Sequence, residues 1–185
     1  MHRARVLELL REHGARDLEE HEANMLRAMV AFVSAQPDCL ARTCIPGHLT
    51  GSAWVVNSDR TRTLLTHHLK LNKWLQLGGH ADGDPDLLAV ALREAQEESG
   101  LSSVRPISNE LFDVDRHWIP ERRGEAGHFH FDLRFLIEAD ASEPLVRSSE
   151  SKDLAWVDLA RVNDLNPEES MARMVRKTRG WPPGR

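Results

Sequence analysis

The chain has 185 residues, 41% of them apolar and 29% charged, with 24 Lys and Arg against 29 Asp and Glu for a formal net charge of -5. That length suits one domain with a small appendage, and the composition excludes a mainly disordered chain. The negative charge argues against a partner that is a nucleic acid polymer or an anionic membrane, and a small anionic substrate would need a local source of positive charge.

Residues 3–13 and 17–35 read as two helices around Gly14. The second carries Leu18, Met25, Leu26, Met29, Phe32 and Val33 at spacings of three, four and seven. This hairpin, residues 1–36, reads as an appendage: either a dimerisation or lid element, which leaves a homodimer open, or a pair packed on its own domain. From His48 the period changes. HLTGSAWVVN, a turn at Asn57 to Arg60 and TRTLLTHH predict a β-hairpin. After WLQL, the stretch GGHADGDPD reads as a loop. A helix is predicted from Asp86 to Ser99, with Asp84 as N-cap, Pro85 at the first helical position and Gly100 as terminator. VRPISNELFDVDRHWIP predicts one or two strands, and residues 121–127 a charged loop. In HFHFDLRFLI, Phe129, Phe131, Leu133, Phe135 and Ile137 share one face while His128, His130, Asp132 and Arg134 share the other. A strand at 153–159 and a closing helix from Asn166 to Arg179 complete an α/β order with a mixed sheet.

Cys39 and Cys44 are too few for a disulfide framework and lack a CxxC spacing, which fits a reducing cytoplasm. No apolar run approaches the roughly 18 residues of a membrane span. The opening MHRARVLELLREHG interrupts its apolar residues with charge and so lacks the apolar core of a signal peptide.

On a helical wheel, Glu94, Glu97 and Glu98 fall within an arc of about 100°, beside an apolar side formed by Leu88, Ala91, Leu92 and Ala95. Carboxylates that close raise one another's pKa, a cost that a bound divalent cation removes, and oxygen-only ligands suit Mg²⁺ or Mn²⁺. Taken alone, the helix also reads as a solvated acidic face partly neutralised by Arg93. The preceding loop changes the balance. Residues 79–101, GHADGDPDLLAVALREAQEESGL, resemble the Nudix box G-x5-E-x7-R-E-U-x-E-E-x-G-U, where U is a bulky apolar residue. Gly79, Arg93, Glu94, Glu97, Glu98, Gly100 and Leu101 match, Ala95 is a small version of the first U, and Pro85 stands where the pattern has its first Glu.

The resemblance runs from about His48 to Gly180 and implies a Nudix-type α/β/α sandwich with a mixed sheet as the domain at 48–180. It implies an Mg²⁺-dependent hydrolase, with Mn²⁺ as an alternative metal, cleaving a phosphoanhydride bond of a nucleoside diphosphate linked to another moiety. The metal ligands it implies are Glu94, Glu97, Glu98 and the Gly79 carbonyl. Arg93 would orient the glutamates, and Glu150 would be the further acid beyond the box, as metal ligand or base. Pro85 is the departure, for which Asp84 or Asp86 would compensate. The alternatives are a ligand-binding or regulatory module whose catalysis has lapsed, and an isomerase acting on a diphosphate ester.

Competing motifs fail. Asp82, Asp84 and Asp86 have EF-hand spacing, but Leu87 and Arg93 stand where Gly and Glu are required, and there is no P-loop, GxGxxG or HExxH. Ten histidines are a heavy load. His80, His128 and His130, with Arg134, are the candidate substrate-binding residues; protonated histidines would hold phosphate and neutral ones would ligate a transition metal, or they are ordinary surface residues. The substrate is not legible: at the family's positions for ADP-ribose and diadenosine markers, a Pro and a Tyr, the chain has Asp115, Arg116 and His117, with Pro120 slightly late and no Tyr anywhere.

Overall fold

The computed structural model describes residues 2–121, 124 and 126–181. Helices α1 (His2–Gly14) and α2 (Glu20–Ala35) come first, then strands β1 (Gly47–Val56), β2 (Arg62–His68), β3 (Trp74–Leu75) and β4 (Leu77–His80). Helix α3 (Leu87–Ser99) follows, then β5 (Arg105–Pro106), β6 (Asp113–Ile119), β7 (His128–Glu138) and β8 (Ser151–Asp158). A 3₁₀ turn (Leu159–Arg161) leads into α4 (Val162–Leu165) and α5 (Glu169–Gly180). Much of the predicted charged loop, at residues 122, 123 and 125, lies outside the described residues.

The strands form one mixed sheet with helices on both sides, an α/β/α sandwich. β1 runs parallel to β7 from Gly47↔Phe129 to Val56↔Glu138 and is buried along its whole length, as an interior strand must be. β4 pairs antiparallel with β1, and β6 with β7. The predicted β1–β2 hairpin forms only at its turn. Asn57 Oδ1 accepts from the Thr61 and Arg62 amides, at 3.0 and 2.9 Å, and one pair, Val56↔Thr63, follows before β2 turns away to β8.

Alternation along β1 and β7 creates two cores. Leu49, Ala53, Val55, Leu133 and Phe135 face α3 through Leu87, Ala91 and Ala95. The N-terminal hairpin belongs to this core: Val6, Leu10, Met29 and Val33 are fully buried, and Phe32 stacks on Phe131 with centroids 3.9 Å apart. Each such side chain contributes about 1.5–3 kcal/mol of burial. On the opposite side, Trp54, Val56 and Leu136 pack with Met171, Met174 and Val175 of α5, and Trp54 Nε1 donates to Thr178 Oγ1 at 2.8 Å.

Two local expectations are corrected. Gly78 to His80 are part of a strand, not loop: without a Cβ, Gly78 lies against Ser52 of β1, where a side chain would come within 2.3 Å of Ser52 Oγ. The α3 N-cap is Asp86, whose side chain accepts from the Ala89 amide at 3.1 Å, while Asp84 accepts from the Asp86 amide at 2.9 Å. Gly100 ends the helix at φ 71°, as predicted. Among the described residues no helix is long and apolar enough to cross a membrane.

Candidate active site

The carboxylates converge where α3 crosses β4. Glu94 lies directly over Gly79: a Cβ on that glycine would sit 2.4 to 2.7 Å from the Glu94 carboxylate atoms. Glu98 accepts from the Gly78 amide at 3.0 Å. Burial raises the Glu98 carboxyl to about 7, the Gly78 bond opposing, and the charges of Glu94, Glu150 and Glu97 push it further up. Glu94 is raised mainly by burial, partly offset by Arg93, whose Nη2 donates to Glu94 Oε1 at 3.1 Å. Glu97 stands exposed beside them, and Glu150, in the turn before β8, is close enough for its charge to act on both Glu94 and Glu98. That turn is tied down by Glu150 O, which accepts from the Leu69 amide at 2.8 Å. Arg42 braces the loop before α3, donating to Asp82 at 2.6 Å.

This set fits a divalent cation. The donors are all oxygens, two carboxyls hold raised pKa values that a cation would relieve, and a methyl group on Gly79 would fill the space the Glu94 carboxylate uses. Gly79→Ala is therefore expected to displace Glu94, the flexible partner, and leave the backbone in place. Turnover should fall about 100-fold, the effect of misplacing a reacting group by about 1 Å. The melting temperature should stay close to wild type; unchanged kinetics would show that Glu94 works from another position.

The candidate histidines lie on the opposite side of the same ladder. Paired residues of β1 and β4 share a face, so Gly51 and Gly79 face α3 while Thr50 and His80 face away from it. There His80 meets His48, with ring centroids 4.9 Å apart, and His48 meets His128 and His130 at 4.7 and 4.8 Å. His117 of β6 completes the row, 5.3 Å from His130. Burial, reinforced by the neighbouring rings, lowers His48 to about 4 and His130 to about 2, so both are neutral near pH 7. A neutral ring presents a lone pair to a metal ion and not a positive charge to a phosphate.

Arg134 is corrected outright. It is 3% exposed and donates to Asp132 at 2.8 Å and to Asp113 and Asp115 at 3.1 Å, so no ligand reaches it. Asp132 in turn accepts from Thr50, Ser52 and Gln76, and Arg173 of α5 donates to Asp113 at 2.7 Å. At Asp132 and Arg134 the polar face of β7 is thus closed by protein, not open to solvent. Sequence reasoning missed His48 and His117 as members of the cluster; the signal was their position, at strand ends that the β1–β7–β6 register brings level with His130.

A mixed-sheet sandwich whose glycine strand and helix gather carboxylates defines a class that the comparisons identify. Residues 48–178 match the family model for the NUDIX domain. The chain therefore belongs to the NUDIX family. Similar solved structures include an Ap4A hydrolase binary complex of C. elegans, 16% identical over 72% of this chain and 96% of that one, with TM-score 0.58. A NUDIX family hydrolase from Clostridium perfringens is 24% identical over 73% and 98%, with TM-score 0.54. The NUDIX domain of Shewanella oneidensis NrtR, complexed with ADP ribose, is 15% identical over 81% and 96%, with TM-score 0.53. These likenesses concern the fold. No curated protein matches the chain by sequence.

Proposed function

We propose that the chain is an Mg²⁺-dependent hydrolase, able to use Mn²⁺, that cleaves a phosphoanhydride bond of a nucleoside diphosphate linked to another moiety. The observation that carries this reading is the seating of Glu94 on bare Gly79 with Glu98 accepting from the amide of the preceding Gly78. Glu94, Glu97, Glu98 and the Gly79 carbonyl are the proposed ligands. A divalent ion there would neutralise the diphosphate and lower the pKa of the attacking water. Arg93 fixes the Glu94 carboxylate, and Glu150, exposed beside the group, is the proposed acceptor of the proton from that water. The domain proposed for this chemistry is 48–180, and the buried free thiols of Cys39 and Cys44 suit a cytoplasmic setting.

Product release from a panel including ADP-ribose and diadenosine tetraphosphate, with and without Mg²⁺, tests this reading. Cleavage of at least one compound only when metal is present is expected. Binding without turnover would favour a module with lapsed catalysis, the reading that Pro85 supports. Because Arg42, Asp84 and Asp86 already hold the loop, Pro85→Glu should change kcat less than about tenfold and leave the protein folded. An inert wild type rescued by Pro85→Glu would reverse that conclusion.

A further inference from the structure

The histidine cluster is built like a metal site of its own, separate in face and in chemistry from the carboxylates. Ring nitrogens of His48, His128 and His130 all lie within 4.8 Å of one another, with His48 and His128 buried and His130 half-buried. His128 Nε2 and His130 Nε2 are 3.2 Å apart. Two nitrogens bound to one tetrahedral ion at about 2.0–2.1 Å stand about 3.3 Å from each other, so this edge is already formed. His128 Nδ1 bonds to the Ala126 carbonyl at 2.8 Å, which places its proton there and turns the Nε2 lone pair toward His130. That is the backbone contact by which metal-binding imidazoles are usually oriented.

His48 supplies the independent observation. It is 2% exposed, and among the described residues neither ring nitrogen has a hydrogen-bond partner. A Cys44 backbone group near the ring falls short of hydrogen-bond geometry and acts on it less than burial, His80, His128 or Arg42 does. A buried imidazole with two unpaired nitrogens is a cost that folded proteins avoid unless something else takes a lone pair. Its place is fixed by register: His48 stands level with His130 across β1 and β7, and both face away from α3. Nothing in hydrophobic packing calls for imidazoles there.

We propose that His48, His128 and His130 bind a divalent transition-metal ion of the zinc class, with a fourth position open to water or an anionic oxygen. Imidazole nitrogen selects zinc, copper, nickel or cobalt over magnesium, whereas the α3 carboxylates select magnesium or manganese. The two sites therefore separate by ligand type as well as by face. With three protein ligands and no Cys among them, this is the pattern of an open site, not a sealed structural one.

The full-length chain, freed of metal by a chelator, is titrated with Zn²⁺ in excess Mg²⁺, and in parallel with Co²⁺ to read its visible spectrum. One tightly held Zn²⁺ per chain and an intense tetrahedral Co²⁺ spectrum are expected. His48→Asn combined with His130→Asn should weaken Zn²⁺ roughly 100-fold or more. Glu97→Gln should leave it unchanged, which separates this site from the proposed catalytic one whether or not hydrolysis is observed. No Zn²⁺ uptake by wild type, or uptake lost in Glu97→Gln and kept in the histidine variant, would overturn the proposal. Should the histidine variant fail to fold, electron paramagnetic resonance of Cu²⁺ on the wild type decides: nitrogen hyperfine structure from several imidazoles supports the site, and oxygen-only coordination rejects it.

Discussion

Glu98→Gln is expected to lower kcat by about three orders of magnitude, corresponding to several kcal/mol of lost metal-assisted stabilisation. Glu97→Gln should act in the same direction and less strongly, because Glu97 is exposed whereas Glu98 is held by the Gly78 amide. Calorimetric titration with Mn²⁺ should show weaker binding in both variants. The metal-free fold should respond the opposite way. Burial first, and the neighbouring carboxylates after it, raise the Glu98 carboxyl to about 7, above the roughly 4.3 of an unfolded glutamate. The folded state therefore favours the protonated acid, and the stability this contributes is complete below about pH 4 and lost as pH rises through about 7. A glutamine never ionises. Without metal, Glu98→Gln should match the wild-type melting temperature at pH 4 and exceed it at pH 8. A variant that melts lower at pH 8, or that keeps wild-type Mn²⁺ affinity, would remove Glu98 from the metal site.

The box was legible because its chemistry is local. Carboxylates three and four residues apart share a helix face wherever the helix packs, and Gly79 precedes α3 by a short loop. The alternation of β7 was legible for the same reason, since strand geometry alone sorts Phe131 and Leu133 from His130 and Asp132. What a polar face meets is not local. Arg134 looked open to solvent or ligand because its period-two neighbours are polar, but Asp113 and Asp115 lie on β6 and Arg173 lies on α5. The β4 strand escaped because two glycines read as a breaker, whereas here they let α3 and β1 approach closely. His48 and His130 are 82 residues apart, and only the parallel pairing of β1 with β7 makes them neighbours. Long-range pairing of this kind leaves no periodic trace in either segment.

Asp113→Ala is expected to cost about 3–5 kcal/mol, the usual penalty for removing one partner from a buried ionic group. Asp113 is fully buried and accepts from Arg173 at 2.7 Å and from Arg134 at 3.1 Å. Burial alone would raise its carboxyl, but Arg173, Lys177 and Arg134 outweigh burial and hold it below the ordinary aspartate range. Its stabilisation is therefore present above about pH 4 and is lost only as pH falls through the lowered value. The deficit of Asp113→Ala should accordingly be constant from pH 5 to 8, a drop in melting temperature on the order of 10 °C. The consequence should reach beyond α5. Arg134 shares its charge with Asp132, and Asp132 accepts from Thr50 and Ser52 of β1 at 2.8 and 2.7 Å. His48 stands two residues before Thr50, so loosening Arg134 should broaden the His48 and His130 imidazole resonances while leaving Mn²⁺ affinity at the α3 carboxylates within about threefold of wild type. A loss below 1 kcal/mol would mean that water reaches Arg134 and Arg173 once Asp113 is gone, and that this network is less sealed than its burial indicates.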